Sequence, residues 1–312
     1  MLTILTWFWR QPGVRIGYTA EHVNIWADMV RRNITMPHRI ACVTDIPEGI
    51  DRRVEIIPPP ADFVDWRIPS WGADRPQCLR RIAMFAPDAG KRFGERFVCM
   101  DLDCVISGPL DPLFETPADF KMFRGTAAGR PYNGSMMLVR AGARPQVYTG
   151  FTLEGARKAG HRFVGSDQAW ISHCLGPREA TWGPEDGAFF WDNQRFDGRK
   201  CRVVFFPGSV KPWHLVDIGD PFCCGHYSRD VDDGRRCLIL GYAPSVWIDL
   251  ATALDRNAAF DGVIASPEAA PHWPGRLLGI AADDERAERL AAMHGFGDVV
   301  FCGRAGNGGA TA

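Results

Sequence analysis

The chain has 312 residues, 46% of them hydrophobic and 23% charged, which is ordinary for a globular protein with one large domain or two smaller ones. A formal net charge of −1 argues against a mainly electrostatic nucleic-acid binder, which carries a basic excess. The ten cysteines include no C-x-x-C pair, and Cys42, Cys99, Cys237 and Cys302 lie in apolar runs, so a reduced, cytoplasmic protein is expected. No run reaches the roughly 18 apolar residues of a membrane span, and "MLTILTWFWRQPG" has neither a basic n-region nor a cleavage site.

In chain order, "LTILTWFW" predicts a first strand and "AEHVNIWADMVRRNI" a helix, from apolar residues at Val23, Ile25, Trp26, Met29, Val30 and Ile34. "HRIACVTD" and "RVEIIPPP" predict two further strands, the latter stopped by prolines. After a loop rich in Trp, Pro and Asp, "QCLRRIAMFAP" reads as a helix and "RFVCMDLDCVI" as a strand. "DFKMFRG" and "SMMLVRAG" read as strands with a tight Asn133-Gly134 turn leading into the second. "RPQVYTGFTLEGARKAG" reads as helical, "VGSDQAWISHCLG" as a helix N-capped by Ser166, and "CRVVFFPG" as a strand breaking into "SVKPWHL".

The character changes after about residue 228. Residues 229–312 read β-α-β-β-α-β, half of a Rossmann-like sheet without G-x-G-x-x-G, ending in the tail "AGNGGATA". This module is either a packing or assembly unit or a small-ligand site at the Gly241–Ser245 turn.

Four stretches carry chemistry. Asp101 and Asp103, two apart in an extended run, project to one face; like charges there need a cation, a basic partner or exposure. Hard carboxylate oxygens suit Mg²⁺ or Mn²⁺, and a solvated turn is the plain alternative. In "FPGSVKPWH", Gly208 permits close backbone approach and Lys211 offers a point charge for phosphate, or a solvated lysine in a structural turn. In "GSDQAW", Asp167 and Gln168 at a helix start are placed to hold sugar hydroxyls, although an N-cap explains Ser166 and Asp167 equally well. In "RPYNG", Asn133 makes either a site turn or a plain hairpin.

In this order, "MDLDCVI", "YNGSMMLV", "SDQAWI" and "PGSVKPWH" resemble a GT-A-fold glycosyltransferase, closest in pattern to family 8, the galactosyltransferase and glycogenin type, over roughly residues 1–215. The resemblance implies an α/β fold, a GT-A Rossmann-like mixed sheet with flanking helices over residues 1–228, beside the small module 229–312. It implies retaining transfer from a nucleotide sugar, UDP-linked, to a glycan, lipid or protein acceptor. Carried over residue by residue, Asp101 and Asp103 match the metal and diphosphate ligands, Lys211 and Gly208 the phosphate grip, Asp167 and Gln168 the sugar pocket, and Asn133 the residue before the strand that follows. Arg81, or else Arg80, matches the basic residue near donor phosphate, and Thr6 and Trp7 fall where the base lies. The family's third metal ligand, a histidine, is replaced by Phe205, which leaves His214 as a candidate ligand to metal or phosphates. Rival readings are a sugar-nucleotide hydrolase or nucleotidyltransferase, and a non-catalytic binding or assembly protein. Trp66, Trp71, Trp182 and Trp191 are either acceptor platforms or core residues.

Overall fold

The computed structural model describes residues 1–10, 17–64, 66–68, 77–191, 200–229, 237–240 and 260–264. By contacts the chain forms two units, Met1–Tyr227 and Ser228–Ala312. The first contains β1 (Leu2–Phe8), α1 (Ala20–Arg32), β2 (His38–Thr44), β3 (Glu55–Ile57), a 3₁₀ helix (Leu79–Phe85), α2 (Gly90–Phe93), β4 (Arg96–Met100), β5 (Cys104–Ile106) and α3 (Asp111–Phe114). It continues with β6 (Phe120–Ala127), β7 (Arg130–Arg140), α4 (Gln146–Thr149), α5 (Leu153–Arg162), α6 (Asp167–Leu175), β8 (Ala180–Trp182), β9 (Ala188–Phe190), β10 (Val203–Phe205), α7 (Pro212–Asp217) and α8 (Pro221–His226).

Seven strands form one mixed sheet in the order β3-β2-β1-β4-β7-β6-β8. β3, β2, β1 and β4 run parallel, and β7 turns antiparallel to both β4 and β6. β1 is buried along its whole length, as a parallel strand covered on both faces should be. Its alternate residues divide between two cores: Ile4 and Phe8 pack with Val23, Trp26 and Val30 of α1, while Leu5 and Trp7 pack with Phe93 and Phe97 on the other side. α1 begins at Thr19, whose N–H donates to Nδ1 of His22 at 2.9 Å, and ends with Arg31 and Arg32 at its negative pole.

Four expectations change. The run 96–106 is two strands in two sheets: β4 belongs to the large sheet, and β5 pairs with β10 in a three-stranded sheet β5-β10-β9. Asp101-Leu102-Asp103 is the crossing between them rather than strand, because each end is claimed by a different sheet: Asp101 N–H donates to Ser135 O (2.9 Å), and Asp103 O accepts from Phe206 N–H (2.9 Å). Asn133-Gly134 lies inside β7, not in a turn before it. Met122 pairs with Met137 and its neighbour Phe123 with Asn133, so residues 134–136 bulge from the ladder. The helix expected over 77–87 is a 3₁₀ helix of seven residues, all of them buried, Arg80 and Arg81 included.

The predicted helix over 144–160 is two, α4 and α5, separated at Gly150. Of the tryptophans, Trp182 is core, with Nε1–H donating to Leu113 O at 3.0 Å. Trp191 stacks on Phe206, and Trp66 is partly exposed beside Phe63 and Phe151. Trp71 lies outside the described residues. In the second unit β11 (Cys237–Leu240) and β12 (Phe260–Ile264) pair in parallel. The remaining elements expected there, and the Gly241–Ser245 turn, lie outside the described residues.

Candidate functional site

Five charged side chains meet where β4 ends. The C-terminal ends of parallel strands are where open α/β sheets receive ligands. Arg81 projects from the 3₁₀ helix, with its side chain only 6% exposed. Its Nη1 donates to Asp101 Oδ1 at 2.7 Å, its Nη2 donates to the Gly134 carbonyl, and its Nε lies 3.0 Å from Asp167 Oδ2. That last contact is an ion pair without hydrogen-bond alignment, since both atoms lack a directed partner. Arg80, one residue earlier, points elsewhere, 3.6 Å from Asp45 and bonded to Pro60 O.

Asp103 is held differently. Lys211, at the N-cap of α7, donates its ammonium to Asp103 Oδ2 and to Phe206 O, the latter at 2.7 Å. Tyr18, just before α1, has its phenol held well above the usual value, by burial first and then by the Asp103 carboxylate. Its ring stands edge-on to Trp213, with centroids 5.8 Å apart, so the α1 entry and the lysine turn meet over this aspartate. Tyr18 was not singled out from sequence; an aromatic before a helix N-cap carries no chemical signature by itself.

Gln168 opens α6 beside Asp167. Its Oε1 accepts from Gly134 N–H at 3.1 Å, and its Nε2 donates to Val164 O at 2.8 Å. Gly165, at φ +123°, leaves room for that fold-back. Ser166 does not cap α6: its Oγ accepts the Cys78 N–H at 3.0 Å, tying α6 to the segment that carries Arg81. Asn133 Oδ1 accepts Ser135 N–H at 2.8 Å and so braces the β7 bulge. Gly134, expected only as half of a tight turn, has a larger part. Both its backbone groups serve the site, and a Cβ there would lie 2.7 Å from Arg81 Nη2.

The remaining candidates stand apart from this cluster. Thr6 and Trp7 end β1 as buried residues whose Oγ1 and Nε1 have no hydrogen-bond partner. Gly208 takes φ +90°, the left-handed region that favours glycine, with open space around it. His214 is exposed on α7 with its ring against Trp213, away from the expected ligand set. Among the described residues no three His, Cys, Asp or Glu side chains gather as a metal cluster.

The electrostatics follow from burial. Desolvation pushes the Asp103 carboxyl above its ordinary 3.8; Lys211 opposes this and Asp101 adds to it. Asp167 is raised for the same first reason, opposed by Arg81. Burial opposes the charge on Arg81, but Asp167 and Asp101 outweigh it and hold the guanidinium well above its usual value. With all five groups ionised, three carboxylates face two cations, leaving one negative charge. The chemistry of the donor set fits a hard divalent cation: Asp101 and Asp103 offer carboxylate oxygens, and Asp101 remains 31% exposed.

The sequence matches no family model and no curated protein. Among solved structures, the galactosyltransferase LgtC in complex with donor and acceptor sugar analogs is 14% identical, with a TM-score of 0.48 over 70% of this chain and 92% of that one. The glycosyltransferase GlyE of Streptococcus pneumoniae TIGR4 is 10% identical, with a TM-score of 0.47 over 95% and 91%. The bifunctional glycosyltransferase WbbM is 11% identical, with a TM-score of 0.42 over 68% and 46%.

Two predictions follow from the geometry. Gly134→Ala forces Arg81 from the bulge carbonyl and destabilises the protein by about 1–3 kcal/mol; an unchanged urea midpoint would show that Gly134 does not seat the guanidinium. For Asp167, a raised folded value means that the native state holds the proton more tightly than the unfolded chain. Its contribution to stability therefore falls as pH climbs from 3.8 to the raised value and is constant above it. The stability of Asp167→Asn relative to wild type should rise with pH across that window in urea unfolding. A pH-independent difference counts against the burial of this carboxyl.

Proposed function

We propose that the chain transfers a sugar from a nucleotide-sugar donor, UDP-linked, to a glycan, lipid or protein acceptor, with retention of anomeric configuration. The carrying observation is the Arg81–Asp101–Asp167 and Lys211–Asp103 cluster at the end of β4. Its negative excess repels a diphosphate, so the donor binds there with a divalent cation, Mn²⁺ or Mg²⁺, which Asp101 and Asp103 would hold. When bound, that ion supplies Lewis-acid stabilisation of the departing diphosphate.

The chain's own residues do the rest. Lys211 adds a second positive charge for the leaving phosphate. Gly208 gives its loop the left-handed turn that brings backbone close to the phosphates. The unpartnered Thr6 hydroxyl, with Trp7 beside it at the end of β1, supports a base site there. Asn133 and Gly134 shape the bulge on which the donor sugar rests, and Asp167 and Gln168 orient its hydroxyls. Asp167 is bound to Arg81 and Gln168 is a neutral amide tied to two backbone groups, so neither is free to attack the anomeric carbon. Cys99 is no nucleophile either, because burial pushes its thiol up to about 12. Attack therefore comes from the acceptor hydroxyl on the face the diphosphate leaves. The bond from the anomeric carbon to phosphate oxygen breaks, the bond to acceptor oxygen forms, and the acceptor proton passes to the leaving phosphate.

The free state of the described cysteines agrees with a reducing, cytoplasmic setting. No described helix is long and apolar enough to cross a membrane.

The test is product analysis with UDP-sugars and a panel of glycan, lipid and peptide acceptors. Acceptor-dependent UDP release is expected, with a product of unchanged anomeric configuration by proton NMR and a loss of at least about a hundredfold in Asp101→Asn/Asp103→Asn. Release to water alone would identify a hydrolase. Binding without turnover would identify a binding protein.

A further inference from the structure

The two cations of the cluster are held in unlike ways. Arg81 is a planar fork whose acceptors come from the β4 end, the β7 bulge and α6, and which lies under a fully buried 3₁₀ helix. Lys211 is a compact charge on a flexible stem, and it closes a small ring. Phe206 N–H donates to Asp103 O, Phe206 O accepts from the Lys211 ammonium, and the ammonium donates to Asp103 Oδ2. The Lys211 side chain is 4% exposed, yet the loop that leads to it stands in solvent. Residues 207–210 are exposed, and Gly208 has nothing within 4 Å of where a Cβ would stand. Asp103 thus carries an internal cation at the position where the proposed function needs a divalent one.

We propose that Lys211 is a built-in competitor for the cation site: in the ligand-free protein its ammonium occupies Asp103, and the divalent cation displaces it onto the donor diphosphate. This inference rests on the donor reading above. It adds an order of events that the reading does not contain. Cation alone meets an occupied carboxylate and binds weakly. Cation with diphosphate binds tightly, because the lysine released from Asp103 gains a phosphate partner instead of being left buried and unpaired. Arg81 stays in place throughout, since leaving would orphan Asp101 and Asp167 together.

The test is titration of Mn²⁺ alone, by calorimetry and by electron paramagnetic resonance of the free ion, at a pH where carboxylates are ionised. Lys211→Met should bind Mn²⁺ about tenfold more tightly than wild type, the loss of one charge-assisted bond to be broken. Adding Asp103→Asn should abolish that gain. Lys211→Arg keeps a cation on Asp103 and should bind Mn²⁺ no better than wild type; it also serves if Lys211→Met does not fold. Equal or weaker Mn²⁺ binding by a folded Lys211→Met, or tighter binding by Lys211→Arg, overturns the proposal. Failure of the donor reading looks different: wild type would then bind no UDP at any Mn²⁺ concentration, while the gain in Lys211→Met would stand.

Discussion

A guanidinium taken out of water without partners is strongly unfavourable, and the fold around Arg81 is arranged to prevent that. Asp101 comes from the crossing between two sheets, Asp167 from the first turn of α6, and the Gly134 carbonyl from a bulge in β7. Each of these placements has its own support. Ser135 O fixes Asp101, the Ser166–Cys78 bond fixes α6 against the 3₁₀ segment, and Asn133 braces the bulge. Removing the cation would leave two carboxylates and a carbonyl converging with nothing between them. The site is therefore a consequence of where one buried charge had to be satisfied.

The same constraint divides the labour among the charged groups. Arg81 is committed to structure and holds Asp101 and Asp167 in place, so in the proposed function it positions carboxylates rather than grips phosphate. Lys211 is the charge the proposal sets in motion. Asp103, raised by burial and bonded to Lys211, is the point at which the lysine turn and the sheet crossing meet. An anionic donor adds charge to a cluster already one negative in excess, which is the physical reason for assigning a divalent cation to a site with only two protein ligands.

Much of this was legible in the sequence. The apolar runs of β1, β2 and β4 and the helical spacing of α1 gave the parallel half of the sheet, because strands buried on both faces and amphipathic helices leave strong patterns. The residue types of the cluster were also legible, and Asp101, Asp103, Asp167, Arg81 and Lys211 do come together at one end of the sheet. What was hidden were features set by tertiary pairing. An alternating apolar run cannot show that Asp101 and Asp103 are claimed by different sheets, and Asn133-Gly134 has the same local chemistry in a hairpin turn as in a bulge. Ser166 looked like a cap because serine before a helix usually is one; here Cys78 competes for its oxygen. Gly134 acts through two backbone groups that distant segments bring into reach, and the Asn-Gly pair by itself does not mark that.

The central claim is that the cluster's excess negative charge makes nucleotide binding conditional on a divalent cation. Calorimetric titration of wild-type protein with UDP, in EDTA and then across a range of free Mn²⁺, tests it most directly. The account predicts negligible binding in EDTA and an affinity that rises in proportion to free Mn²⁺, with one ion taken up per nucleotide. Equal UDP affinity in EDTA and in Mn²⁺ would contradict it, and would mean that Lys211 and Arg81 meet the phosphates without help.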